Sequence, residues 1–149
     1  MVTQKQINDF IASEPIAMVS VSRTPKKFGF IAFRELKEKG MNIIPVNPHT
    51  GEIHGTKVYP DIKSLPPEVT SLRVMTQKNA TAGVVREAKE KGIKKIWIQQ
   101  MSESKDAIKE LEGSGINFIS GQCILMFYKP HSIHKFHGRL KKFFGRWPK

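Results

Sequence analysis

Cysteine is nearly absent from this sequence: Cys123 stands alone among 149 residues, so no internal disulfide can support the fold. Long apolar runs are missing as well. No stretch approaches the roughly 20 consecutive apolar residues that a membrane-crossing helix requires, and the opening Met1-Val2-Thr3-Gln4-Lys5 lacks the apolar centre of a secretory signal. These absences argue against a disulfide scaffold and a helical membrane protein, and they predict a soluble, cytosolic chain. Acids are scarce at one end. Residues 129–149 contain seven Lys or Arg and no Asp or Glu, whereas residues 1–128 carry 18 basic against 13 acidic side chains. The formal net charge of +12 is therefore concentrated in the last segment, and the body is only mildly basic. Excess positive charge suits an anionic ligand or nucleic acid and by itself selects neither.

What is present is a unit that recurs three times: a charged amphipathic stretch, a glycine, then a short apolar run. It appears as Arg34-Glu35-Leu36-Lys37-Glu38-Lys39-Gly40 before Met41 to Val46, and as Arg86-Glu87-Ala88-Lys89-Glu90-Lys91-Gly92 before Ile93 to Ile98. A weaker copy, Lys109 to Gly115, precedes Ile116 to Ile119. Glycine just past a helix closes it in the left-handed conformation, and lysines in the last turn complement the helix dipole. Each copy thus reads as helix, cap, strand. With further strands at Ile16 to Val19 and Leu72 to Met75, about five near-continuous apolar strands alternate with helices. That pattern predicts a doubly wound, Rossmann-like, mainly parallel five-stranded sheet with helices on both faces. An opening helix is expected over Thr3 to Ser13. Pro48 to Pro67, rich in proline and glycine, is expected to be a loop with at most a short helical turn near Ile62 to Leu65.

Open parallel sheets bind ligands at the carboxyl ends of their strands, near the point where strand order reverses. Four segments occupy such ends, beginning at Ser20, Val46, Thr76 and Gln99. The first, Ser20-Val21-Ser22-Arg23, leads through Lys26, Lys27 and Gly29 into a helix at about Phe30 to Lys39, and free amides there together with nearby cations would form a pyrophosphate cradle. The plainer alternative is that Ser22 or Thr24 caps the helix and the lysines are solvated. A dinucleotide fingerprint would place G-x-G-x-x-G after the first strand and an acid after the second. The chain has Ser20-Val21-Ser22 and Asn47-Pro48-His49 instead. Without that carboxylate, a ligand bearing a ribose phosphate is favoured: coenzyme A, or NADP as the alternative.

Several strings resemble the family of small CoA-binding proteins similar to the N-terminal domain of the succinyl-CoA synthetase alpha subunit. They are Ile16 to Ser22, Lys27-Phe28-Gly29, Leu36 to Gly40, Ile44 to Pro48, Glu52 to Gly55, Tyr59-Pro60, Ile96 to Gln99 and Gly121 to Ile124, and together they span most of residues 14–126. The resemblance implies that the loop after the first strand receives the CoA diphosphate and that the end of the second strand meets the adenosine. The loops after the next two strands would flank the pantetheine arm. Carried onto this chain, it implicates Ser20, Val21, Ser22, Arg23, Lys27, Val46, Asn47 and Pro48, with Thr76 and Gln99 along the arm. Ser20 and Met101 stand where family members usually carry glycine. The implied division is a CoA-binding domain over residues 1–128 followed by a basic segment, 129–149.

That segment places Ile133, Phe136, Leu140 and Phe143 on one helical face and Lys135, Arg139, Lys142 and Arg146 on another. It is expected to be an amphipathic helix packed on the same domain, a subunit contact as in a homodimer, an anionic membrane surface or nucleic acid being the other uses of such a stripe. His131, His134 and His137 have no cysteine or carboxylate nearby and do not suggest a metal site. Cys123, beside Ile124, Leu125 and Met126, reads as a buried thiol. No paired carboxylates, nucleophile elbow or His-Cys pair is visible. The sequence therefore points to a module that binds a small nucleotide cofactor rather than to an enzyme, with an NADP-dependent oxidoreductase or a protein or nucleic-acid adaptor as alternatives.

Overall fold

The structure, a computed structural model, describes residues 1–129. Five strands form one sheet: β1 (Ile16–Val19), β2 (Ile43–Val46), β5 (Ser71–Val74), β6 (Lys95–Gln99) and β7 (Asn117–Gln122). Their order is β2-β1-β5-β6-β7 and every pair is parallel. Strand order reverses between β1 and β5, which places the switch point at the carboxyl ends of those two strands. The expected fold class is the observed one.

Alternation along the strands divides the core into two layers. Ile16 and Met18 of β1 and Trp97 of β6 face Ile7 and Phe10 of α1 (Gln4–Ile11) and Phe33 and Leu36 of α2 (Phe28–Glu38). Ala17, Leu72, Val74, Ile96 and Ile98 face the opposite way, onto Val85 and Ala88 of α3 (Lys78–Lys91) and Ala107 and Leu111 of α4 (Lys105–Leu111). Helices thus cover both faces, as right-handed crossovers between parallel strands require. The glycine rule holds where it matters most: Gly92 ends α3 at φ +85, and its amide bonds back to the carbonyls of Ala88 and Lys89.

The structure departs from expectation in two places. Residues 48–67 are not merely loop, because Glu52–Ile53 (β3) and Thr56–Lys57 (β4) pair antiparallel around His54 and Gly55, both at positive φ. Two-residue strands leave too short an alternation to be recognised from sequence. The chain then returns at Tyr59, which bridges to Val46 on the outer edge of β2. The last strand runs on to Gln122 and carries a bulge: Trp97 pairs with Ile119 but Gln99 pairs with Gln122. Gly121, at φ +70, takes up the extra residue. Boundaries elsewhere shift by one to three residues. The amphipathic helix expected over 129–149 lies, apart from Lys129, outside the described residues, and with it any packing on the domain. Among the described residues no helix is long and apolar enough to cross a membrane.

Candidate functional site

The loop leaving β1 is held open by backbone geometry. Ser20 sits at φ +66, a conformation that costs an L-residue roughly 1–2 kcal/mol and that glycine adopts freely. Met101, in the loop after β6, is likewise at φ +79 with its side chain mostly exposed. The two positions at which the resemblance calls for glycine therefore keep a glycine-like backbone under other side chains. Gly29 explains how closely the next helix approaches. A Cβ there would lie 2.6 Å from the Ser20 carbonyl oxygen and 3.2 Å from the Ser22 amide nitrogen, so the first turn of α2 rests directly on the loop.

Asn47 fastens the second strand end to the first. Its Nδ2 donates to the Val21 carbonyl at 2.8 Å, and its Oδ1 accepts from the His49 amide at 2.7 Å. Arg23 Nη1 adds a long bond, 3.4 Å, to the His49 carbonyl. Between these loops lies a cleft of about 500 Å³, within the usual size range of small-molecule sites. Ser20, Val21, Ser22, Val46, Asn47 and Pro48 all line it.

The other expected residues are placed differently. Arg23 and Lys27 are exposed and stand outside the lining. Lys27 is the N-cap residue of α2, but its side chain makes no cap bond. Thr76 is half-buried, and its hydroxyl pairs with that of Thr81 at 2.8 Å, which itself donates to the Ser102 carbonyl at 2.7 Å. Gln99 is buried, and its Oε1 accepts from Arg73 Nη2 at 2.6 Å. Thr76 and Gln99 thus belong to the neighbouring strand ends, away from the cleft.

Sequence reasoning missed part of the opposite wall. Asp61 and Glu87 also line the cleft, one delivered by the return of the hairpin arm and the other by the exposed side of α3. An acid delivered by a hairpin arm or a helix, and not by the end of β2, leaves no local signature beside Asn47. The Asp61 carboxylate already accepts from the Ser64 amide at 2.7 Å. Arg73 was missed too. It is wholly buried on β5, and burial lowers its guanidinium from the ordinary value to about 10, an effect only partly opposed by Cys123. It remains charged at neutral pH, and its desolvation penalty is constant below about pH 10. Cys123 is buried, as expected.

The helices flanking the switch point share a property. Neither α2 nor α3 has a side-chain cap at its N-terminus, the N-cap residues being Lys27 and Gln77. Their first amides are therefore not claimed by a capping side chain, and the dipole of each helix favours negative charge there. Cleft, bare helix starts and nearby cations together make an anion-accepting end of the sheet. Among the described residues no cluster of His, Cys, Asp or Glu could hold a metal ion.

The fold has counterparts among known proteins. Residues 14–129 match the family model for the CoA binding domain. The alpha subunit of acetate–CoA ligase (ADP-forming) II from Pyrococcus furiosus is 29% identical over 126 residues, 77% of this chain, but the match spans only 28% of that subunit. The uncharacterized protein YneT of Bacillus subtilis is 28% identical, with 75% of this chain and 83% of that protein covered. Among solved structures, a conserved hypothetical protein from Pyrococcus furiosus superposes with a TM-score of 0.71 at 36% identity, covering 74% of this chain and 95% of the other.

Proposed function

The chain belongs to the CoA binding domain family, and from that premise we propose that its cleft holds the nucleotide end of coenzyme A or an acyl-CoA. The observation that carries this reading is the joined pair of strand ends, Ser20-Val21-Ser22 and Val46-Asn47-Pro48, lining one cleft beside the bare start of α2. The two walls differ in chemistry. Backbone amides, the helix dipole and the nearby cations Arg23 and Lys27 suit the diphosphate. The opposite wall, with Asp61 and Glu87, suits hydrogen-bond donors such as an amino group on the base or ribose hydroxyls. Thr76 and Gln99, one and two strands further along the sheet, would flank the arm that leads to the thiol.

The function is binding rather than catalysis of ligation. The groups that line the cleft include backbone, hydroxyl, amide and carboxylate groups suited to holding a ligand, and Asp61 already accepts from the Ser64 amide. Delivery or sequestration of an acyl-CoA in the cytosol is the role such a module can perform. Calorimetric titration with CoA, NAD and NADP tests the proposal: saturable binding of CoA is expected, and binding of NAD without CoA would overturn it.

A further inference from the structure

The guanidinium of Arg73 is fully buried, yet among the described residues no ion pair reaches it. Its Nη1 lies 3.3 Å from Met18 Sδ, a weak acceptor, and its Nε has no partner at all. Only Nη2 is well served, by Gln99 Oε1 at 2.6 Å. A buried cation with one strong acceptor destabilises the fold, so its place in a fully buried strand needs a reason.

That reason lies in what the guanidinium does to Gln99. A guanidinium offers donors only, so the oxygen of the Gln99 amide must face it and the nitrogen must face away. Among the described residues no acceptor meets Gln99 Nε2, and this atom is not among those sealed from solvent without a partner. Gln99 is the last residue of β6, on the carboxyl edge of the sheet. Counting β1, β5 and β6 at the spacing of neighbouring strands, it lies about 10 Å from the β1 side of the cleft. A nucleotide seated in the cleft would not reach it, but an extended arm running across the switch point would.

We infer that Gln99 Nε2 donates a hydrogen bond to a carbonyl oxygen on the amide- or thioester-bearing arm of the ligand, and that Arg73 is the positioning residue that turns the amide to offer it. This rests on the nucleotide reading of the cleft. The arm is the discriminating feature, so the two probes are CoA and adenosine 3′,5′-bisphosphate, which lacks it.

Gln99→Leu should weaken CoA about tenfold, the loss of one well-placed donor, and leave the bisphosphate within about twofold of the parent. Arg73→Met should do the same, and the double variant should lose no more than Gln99→Leu alone, because Arg73 acts through Gln99. A purely structural role would instead weaken both probes together. Should Arg73→Met fail to fold, the unaltered protein still decides: the side-chain amide resonances of Gln99 should shift on adding CoA and stay still on adding the bisphosphate. Variants that bind CoA like the parent, additive losses, or equal losses for both probes would overturn the inference alone. If the parent bound neither probe, the nucleotide reading beneath it would fall as well.

Discussion

Helices α1 and α4 begin under side-chain caps, whereas α2 and α3 begin bare. Thr3 accepts from the Gln6 amide while Gln6 reaches back to the Thr3 amide, a complete capping box, and Ser104 accepts from the Ala107 amide. Lys27 and Gln77 do neither for their helices. The bare pair follows β1 and β5, the two strands between which the order reverses. The capped pair lies outside that point, before β1 and after β6. A cap contributes about 1 kcal/mol, so an uncapped start forgoes stability, and here it does so where the sheet geometry favours a ligand. The difference teaches that helix starts without a side-chain cap and the cleft mark the same end of this sheet.

Six substitutions would break or sharpen that contrast. Gly29→Ala should have the largest effect, because the new Cβ meets the backbone of Ser20 and Ser22 and must push α2 off the loop. Overpacking of this kind costs about 1–3 kcal/mol, to be read as a lower denaturation midpoint, with CoA affinity falling too. Next, Thr3→Ala or Ser104→Ala should lose about 1 kcal/mol each by chemical denaturation. Lys27→Asp should do the reverse: a cap and a favourable charge for α2 should raise stability while weakening CoA in calorimetry. A Lys27→Asp variant that binds CoA as tightly as the parent would erase the contrast between the helix pairs. The smallest change is expected from Ser20→Gly and Met101→Gly. Relief of the left-handed strain is partly offset by the greater freedom of glycine in the unfolded chain, leaving a net gain of about 0.5–1 kcal/mol each, measurable as a raised melting temperature with CoA binding intact.

The element order was legible because each helix, glycine and strand is a local pattern of 10–15 residues, and local patterns carry the periodicity that fixes secondary structure. The two strand ends that line the cleft followed from the same order, since parallel topology dictates where they meet. What stayed hidden depends on contacts across the chain. Arg73, between Leu72 and Val74, looks like an interruption in an apolar strand until Gln99, 26 residues later, is seen beside it. Asp61 joins the cleft only because the hairpin arm folds back, and that arm rests on strands of two residues. Gln99 closes β6, and its burial could not be read from its polarity.

The return of the chain at Tyr59 has a consequence for how this molecule meets its own copies. A sheet edge exposes a row of unpaired donors and acceptors to which another chain can add a strand. On the β2 side that row is already occupied: the Tyr59 amide donates to the Pro45 carbonyl at 3.0 Å, and the Asn47 amide donates to the Tyr59 carbonyl at 3.0 Å. Pro45, which carries the first of those bonds, has no N–H of its own to offer. The flank that frames the cleft is therefore also closed to strand addition where β2 ends, and crowding of the protein in concentrated solution should not propagate the sheet through that stretch.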